Sequence, residues 1–205
     1  IENLLIATWA NDVIIIISGI IIILKNLWKR GNVIMTQFTF DQAHSDIQFQ
    51  IKHLMVSKVK GTFSQYDVQL DGDINDLSSL KATATIIPSS VDTQNKDRDN
   101  HLKSGDFFAT DENDKWTFET KEVSENKVTG DLTIKGETHE ETFDVEFNGI
   151  SKNPMNGSQV TGFIVTGTID REKYGMSFNR TLETGGVMLG KEVKFEASAE
   201  FSLED

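Results

Sequence analysis

Residues 126–149 read NKVTGDLTIKGETHEETFDVEFNG, and this stretch decides the fold. Apolar residues alternate with polar ones in both of its halves, namely Val128, Leu132 and Ile134 and then Phe143, Val145 and Phe147. Alternation with a period of two is typical of a strand with one buried face. Because the polar residues 136–141 join the two halves, the stretch predicts an antiparallel hairpin.

The same alternation recurs along the chain from residue 38 onward. The apolar members of these further rows are Ile47, Phe49, Ile51, Ala82, Ala84, Ile86, Trp116, Phe118, Phe163, Val165, Ile169, Val193, Phe195, Ala197, Ala199 and Phe201. With residues 38–40 as a first strand, the rows predict about eight strands, joined mostly by short turns. Such spacing indicates an all-β sandwich or barrel.

Two segments lack the alternation, residues 89–111 and residues 171–190. We expect one or two helical turns at residues 95–103 in the first of them. Long irregular segments in a compact domain usually carry function or cover an opening. The final strand carries the small residues Ala197 and Ala199 at inward positions, which leaves space inside. These features favour a barrel with space for one small ligand over a filled sandwich.

The composition narrows the class of partner. The chain has 205 residues, with 32 acidic against 20 basic side chains and a net charge of -12. This charge argues against binding to nucleic acid or to anionic membrane surfaces. There is no cysteine, which excludes a disulfide framework, a thiolate nucleophile and a cysteine-ligated zinc site.

The first 34 residues differ in composition from the rest, and we count the folded domain as residues 35–205. Residues 13–24 form an apolar run of 12, which is short for a membrane helix, and Asn11 and Asp12 precede it. No positively charged region precedes the run, as a secretion signal would require. The chain begins with Ile1, and purine-rich codons for residues 29–31 would suit a ribosome-binding site just before Met35. The leader is interpreted as untranslated upstream sequence, with a membrane anchor as the alternative.

The folded part resembles the YceI-like family over residues 38–201. Four stretches carry the resemblance: FTFDQAHSDIQFQIKHLMVSKVKGTF (38–63), SSVDTQNKDRDNHLKSGDFF (89–108), VTGDLTIKGETHEETF (128–143) and GTIDREKYGMSFN (167–179). The resemblance implies an extended lipocalin-type barrel, a bound polyisoprenoid or similar long-chain amphiphile, and frequent homodimers. Many members of the family carry a cleavable secretion signal. Because nothing before Met35 qualifies as one, we expect a cytoplasmic location, or a membrane-anchored one if the leader is translated.

The polar group Arg98-Asp99-Asn100-His101 allows two interpretations. In the functional one, Arg98 and His101 bind a phosphate, carboxylate or carbonyl head group at the barrel mouth. In the structural one, Arg98 pairs with Asp99 or another carboxylate, and His101 binds backbone groups of the irregular segment.

The sequence does not predict an enzyme, a metal site or a cofactor. His44 could pair with Asp41 or Ser45, but no nucleophile-elbow sequence is present. His53 and His139 lack the close paired spacing of zinc ligands.

We therefore expect non-enzymatic binding, storage or transport of a polyisoprenoid or fatty-acyl ligand. Sequestration of harmful amphiphiles is one alternative, and an enzyme that acts on an isoprenoid lipid with His101 or His44 as base is another. The predicted ligand-binding residues are Phe49, Ile51, Ile86, Arg98, His101, Phe107, Phe108, Trp116, Phe118, Leu132, Ile134, Phe147, Phe163, Val165 and Phe178. Filled cores use the same residue types, so ordinary packing is the other interpretation of the apolar ones.

Overall fold

A computed structural model describes residues 6–9, 12–17, 20–22, 36–182 and 185–204. The chain divides into two compact units, residues 1–35 and residues 36–205. The first unit contains a three-stranded antiparallel sheet of β1 (Ile6–Trp9), β2 (Asp12–Ile17) and β3 (Ile20–Ile22). Residues 29–31 and Met35, on which the leader interpretation rests, lie outside the described residues. Within the described part of the chain, no helix is long and apolar enough to cross a membrane.

The second unit is a ten-stranded antiparallel sheet that curls around a cavity. Its elements are β4 (Gln37–His53), β5 (Ser57–Phe63), β6 (Tyr66–Asp71), β7 (Lys81–Ile86), β8 (Val91–Asp92), α1 (Lys96–Lys103), β9 (Trp116–Val123), β10 (Lys127–Ile134), β11 (Glu137–Lys152), β12 (Gln159–Asp170) and β13 (Leu189–Glu204). The strand order is β6-β7-β9-β10-β11-β12-β13-β4-β5-β8. The predicted class, an antiparallel lipocalin-like barrel, is confirmed.

The number of strands differs from the predicted eight for local reasons. Residues 38–40 and 47–51, counted as two strands, belong to the single long strand β4. The additional strands are β5, β6 and β8. Gly61 interrupts the alternation of apolar and polar residues in β5. Strand β8 has only two residues, which are too few to show an alternation.

The predicted hairpin of β10 and β11 is present with a tighter turn. Ile134 pairs with Glu137, so the turn consists of Lys135 and Gly136 alone. Both have positive φ, 52° and 80°, as a two-residue turn matched to the twist of the strands requires. The polar residues 137–141, predicted as a loop, are therefore the start of β11.

Side-chain hydrogen bonds close the barrel where the backbone pairing between strands ends. β13 pairs with β4 along both halves of that strand, but β5 pairs only with the second half, from Gln48 onward. The Tyr66 hydroxyl on β6 donates to the Ser45 carbonyl oxygen on β4. Gln42 donates to the Ser64 carbonyl oxygen at 3.2 Å. These bonds join the β6 edge to the first half of β4.

The predicted helical turns are the helix α1. The Asn95 side chain caps it by accepting from the Arg98 amide at 3.0 Å. Acidic residues occupy its first turn and basic ones its last, which suits the helix dipole. Lys135 donates to the Gly105 carbonyl oxygen at 3.0 Å, so the segment after α1 lies beside the β10–β11 turn, at one end of the barrel.

Candidate ligand cavity

The inward faces of the strands enclose a cavity of about 440 Å³. This volume lies within the range of small-molecule sites, about 300–1,000 Å³. Most lining side chains are aliphatic or aromatic. Of the predicted binding residues, those that line the cavity are Phe49, Ile51, Ile86, Arg98, His101, Phe107, Phe108, Trp116, Phe118, Leu132, Ile134, Phe163, Val165 and Phe178.

Phe147 is the exception, and the prediction that it lines the cavity is wrong. It follows Phe143 and Val145 in phase along β11, and both of those residues do line the cavity. The ring of Phe147 instead stacks on Phe163 of β12, with centroids 5.2 Å apart and planes 27° apart. Phe147 pairs with Phe163 before the β11–β12 register shifts, so it shares the face of Phe143 and Val145 but lies beyond the part of β11 that lines the cavity.

Several lining aromatics were not selected from the sequence as ligand-binding residues. They are Phe63, Tyr66, Phe143, Phe195 and Phe201. Phe143, Phe195 and Phe201 belong to the recognised alternating rows, so the period-2 signal could have identified them. Phe63 follows Gly61, which breaks its row. Tyr66 begins β6, a strand that was not predicted.

Aromatic rings from β4, β5, β9 and the segment after α1 contact one another at tilted or edge-to-face angles. The ring centroid of Phe63 lies 5.4 Å from that of Phe49 and 5.5 Å from that of Trp116. The ring centroids of Trp116 and Phe108 are 4.7 Å apart. Such edge and tilted contacts stabilise a core by about 0.5–1.5 kcal/mol beyond area burial. The rings form a rigid wall on this side of the cavity.

Two strand glycines make room for rings on the wall. A Cβ atom at Gly61 would lie 2.6 Å from Phe49 Cε1, and one at Gly130 would lie 2.8 Å from Phe118 Cζ. Real Cβ atoms do not approach other atoms so closely, so each ring occupies the space that a side chain would take. The missing side chains let the rings lie flat against the sheet.

Arg98 and Asp99 both bind Thr93, a buried residue that precedes α1. The Arg98 Nε and Nη2 atoms donate to Thr93 Oγ1 and to its carbonyl oxygen, each at 2.8 Å. The Asp99 carboxylate accepts from the Thr93 amide at 2.9 Å. Arg98 thus lines the cavity with two of its donor atoms engaged by Thr93, and the carboxylate pairing expected in the structural interpretation is not found among the described residues.

His101 is also held by neighbours. Its Nε2 atom lies 3.0 Å from Asp106 Oδ2, and its ring packs edge to face on Phe107 and Phe178, each with centroids 5.1 Å away. The imidazole side chain is 48% exposed. It therefore forms part of the rim where α1 meets the segment after β12.

Arg171 lies on the cavity wall and was not singled out from the sequence. It is only 2% exposed, and it begins the 3₁₀ turn Arg171–Tyr174 that follows β12. Its Nε atom donates to the Gly190 carbonyl oxygen at 2.9 Å, and its Nη1 atom donates to that of Met176. Its Nη2 atom is buried without a hydrogen-bond partner among the described residues. Burial lowers the pKa of the guanidinium from its ordinary value.

A second polar group lies on the outside of β4 and β13. His44 Nδ1 is 2.8 Å from Asp41 Oδ2, while the Ser45 hydroxyl donates to the Asp41 carbonyl oxygen at 2.6 Å. The hydrogen bond lowers the pKa of Asp41 and raises the pKa of His44. Ligand atoms of Asp41, His44 and Glu200 lie within 4.8 Å of one another, so this cluster is where a cation could be held.

The remaining histidines lie apart from this cluster. His53 lines the cavity at the end of β4. His139 Nε2 is 3.0 Å from the Lys173 carbonyl oxygen, with its ring edge-on to Tyr174. Burial raises the pKa of the Tyr174 hydroxyl, whose oxygen contacts Glu141 at 3.3 Å. These contacts tie the turn after β12 to β11.

Comparison with known proteins gives consistent matches. The model of the YceI-like domain family matches residues 38–201. A UPF0312 protein of Staphylococcus epidermidis is 81% identical over 171 residues, which cover 83% of this chain and 100% of that protein. A UPF0312 protein of Staphylococcus aureus is 78% identical with the same coverage.

Solved structures show the same architecture. The crystal structure of a Campylobacter jejuni YceI protein is 32% identical, with a TM-score of 0.64 over 82% of this chain and 99% of that one. A polyisoprenoid binding domain from Saccharophagus degradans has a TM-score of 0.56 over 84% of this chain and 100% of its own. At 11% identity, the second likeness concerns the fold alone.

Proposed function

The chain belongs to the YceI-like domain family, and from this premise we propose that it binds a long-chain apolar or amphiphilic molecule in its cavity without catalysing a reaction. The observation that carries the proposal is a cavity of about 440 Å³ walled mainly by aliphatic and aromatic side chains. Such a wall offers a hydrocarbon tail burial from water and few groups with which to react.

The length of the cavity suits a chain better than a compact ligand. Along β13 the lining residues run from Leu189 to Phe201. At about 3.3 Å per residue, that separation is at most about 40 Å, less where the strand bends. The lining residues therefore extend along most of β13, and a linear tail can follow them.

Burial of the tail would supply most of the affinity. Each buried methylene contributes about 0.8 kcal/mol, so ten of them contribute about 8 kcal/mol before the entropic costs of association. The structural likeness to a domain named for polyisoprenoid binding agrees with an isoprenoid tail. A fatty-acyl tail meets the same wall, so both ligand classes are part of the proposal. Storage or transport of the bound lipid would follow from such binding.

Two alternatives differ in what the protein would carry. A protein that sequesters harmful amphiphiles would bind a mixture, and an enzyme acting on an isoprenoid lipid would bind substrate and product together. His101, one candidate base, contacts Asp106 and two aromatic rings, and catalytic histidines also use such a carboxylate contact, so the composition of the bound lipid decides this alternative. His44 lies 68% exposed on the outer surface, and it is not among the cavity-lining residues. A cytoplasmic location and a homodimer remain predictions from the sequence.

Native mass spectrometry of the gently purified full chain tests the proposal. We expect one co-purified prenyl or acyl species of fixed mass, which is displaced by added lipid of the same class. A heterogeneous load would favour sequestration, and a substrate–product pair would favour an enzyme. A protein that carries nothing and takes up neither prenyl nor acyl chains would contradict lipid binding.

A further inference from the structure

The charge of the cavity wall is opposite to the charge of the chain. The chain carries 32 acidic and 20 basic residues. Among the described residues that line the cavity, however, there are two arginines and two histidines but no aspartate or glutamate. A binding site for a neutral hydrocarbon needs no such sorting of charge. A site that holds an anion does, because a carboxylate on its wall would repel the ligand.

These basic groups lie toward one end of the cavity. His53 pairs with Leu189 at the end where β4 finishes and β13 begins, and Arg171 directly follows β12 there. His101 reaches the same end, because its ring contacts Phe178 in the segment between β12 and β13. Toward the other end the lining residues are mostly apolar, among them Leu70 on β6, Leu80 just before β7, Val123 on β9 and Phe201 on β13, and Thr120 and Ser198 add only neutral hydroxyl groups. The basic groups of the wall therefore lie at one end of the cavity, and the described lining residues at the other end carry no charge.

Arg171 is the most deeply buried of these basic groups, and the nearby carboxylates Asp170 and Glu172 attract its charge without binding it. It forms no ion pair with the described carboxylates, and its Nη2 atom is buried without a partner. Its chain neighbours Asp170 and Glu172 are bound instead by Lys191, at 3.1 Å and 3.3 Å. A buried cation that lacks one hydrogen-bond partner destabilises the empty protein, and an anionic acceptor would remove that cost.

A second orphan donor lies on the same wall. Trp116 lines the cavity where β9 begins, next to Ile86 at the end of β7, and its Nε1 atom is also buried without a partner. Thr117, the next residue, pairs with Thr133 near the β10–β11 turn, which places Trp116 at the α1-covered end as well. Among the described residues, these two buried donors therefore have no acceptor, and the cavity wall offers them no carboxylate.

We propose that the cavity takes a single-chain amphiphile with an anionic head group, a carboxylate or a phosphate, held by Arg171 at the α1-covered end while the tail extends toward Phe201. This inference rests on the proposed function and deepens it. It names the charge of the ligand and its direction in the cavity. Neutral lipids with the same tail would still enter the cavity but would leave Arg171 unpaired.

Ligands that share one tail and differ in head group test the proposal on the full chain. After removal of bound lipid, hexadecanoate, hexadecyl phosphate, hexadecan-1-ol and hexadecyltrimethylammonium compete at pH 8 with an uncharged fluorescent probe in the cavity. We expect at least one of the anions to bind about tenfold or more tightly than the alcohol, and the cation to bind most weakly. The better of the two anions identifies the head group. Equal binding of all four would overturn the inference while leaving lipid binding intact, and binding of none would contradict the proposed function itself.

Substitution of Arg171 locates the charge. We expect R171M to lose the preference for the anions, measured as the ratio of anion affinity to hexadecan-1-ol affinity in the same protein. The matched control is R180M, since Arg180 is exposed and is not among the cavity-lining residues. Arg171 also holds two backbone carbonyl groups, so R171K serves if R171M does not fold. Lysine keeps the charge but not the planar donor geometry, and we expect the preference to fall at least about threefold without reversing. An unchanged preference in the folded variant would exclude Arg171 as the partner.

Discussion

The ring of Phe143 on β11 lies over Gly167 on β12, in the space that a side chain at Gly167 would occupy. Phe195 on β13 enters the same space, since a Cβ atom at Gly167 would lie 2.7 Å from its Cε1 atom. The two rings meet edge to face with centroids 4.8 Å apart. One absent side chain thus allows three adjacent strands to pack their aromatics into one wall of the cavity.

Alanine at Gly167 should therefore destabilise the barrel. The added methyl group forces both rings off their positions, and such overpacking costs about 1–3 kcal/mol. Thermal or denaturant unfolding followed by circular dichroism measures the loss. G105A is the control, because a Cβ atom at Gly105 meets nothing within 4 Å. Equal stability of the two variants would show that the rings have room to move.

A larger side chain at Ala197 should block the ligand without unfolding the protein. Ala197 lines the cavity, so the ring of A197F enters open space instead of packed core. We expect the affinity for a sixteen-carbon lipid to fall at least about tenfold, because several methylenes lose their place. Displacement of a fluorescent probe gives the affinity. The exposed Ala43 provides the control A43F, which should bind as the unmodified chain does.

The double variant R98Q/H101N separates the two interpretations of the polar group on α1. Because Arg98 donates twice to Thr93 and His101 contacts Asp106, we expect a loss of about 1–3 kcal/mol in the free energy of unfolding. Head-group preference should change little. A shift in preference of that same size with unchanged stability would support the alternative, in which these residues select the head group.

The hydrogen bond between Asp41 and His44 should make the stability of the protein depend on pH. The raised pKa of His44 means that its contribution to stability is complete below about pH 6.5 and is lost as the pH rises through the folded-state pKa. The lowered pKa of Asp41 means that its contribution is present above about pH 4 and is lost as the pH falls through the folded-state pKa. The pair therefore stabilises most near pH 5.

NMR titration of the His44 ring tests this assignment. We expect D41N to lower the pKa of His44 most, because Asp41 provides the hydrogen bond. E200Q should lower the pKa less, because Glu200 acts through its charge alone. An unchanged His44 pKa in D41N would show that the two side chains do not interact in solution.

A protein that begins at Met35 should fold and bind ligand. The family match begins at residue 38, and the ten-stranded sheet begins with β4 at Gln37. We expect unfolding and lipid affinity equal to those of the full chain, measured side by side. Aggregation of the shortened protein alone would show that residues 1–34 take part in the fold.

The sequence by itself determined the class of fold and most of the cavity wall. Alternation is a local property: Val128, Leu132 and Ile134 lie two or four residues apart, so they share a face wherever the strand pairs. The cap of α1 was equally local, since Asn95 lies three residues from the amide that it binds. Patterns of this kind need no knowledge of distant residues.

Tertiary structure alone decided which residues of a correct row reach the cavity and where its charge lies. Phe147 is in phase with its row, but the part of β11 that lines the cavity ends at Val145. Arg171 is held on the wall by the carbonyl oxygens of Gly190 and Met176, the first of them from a strand that begins eighteen residues later. Partners so distant along the chain leave no period or spacing, because the contacts arise from curling of the sheet and not from its local pattern.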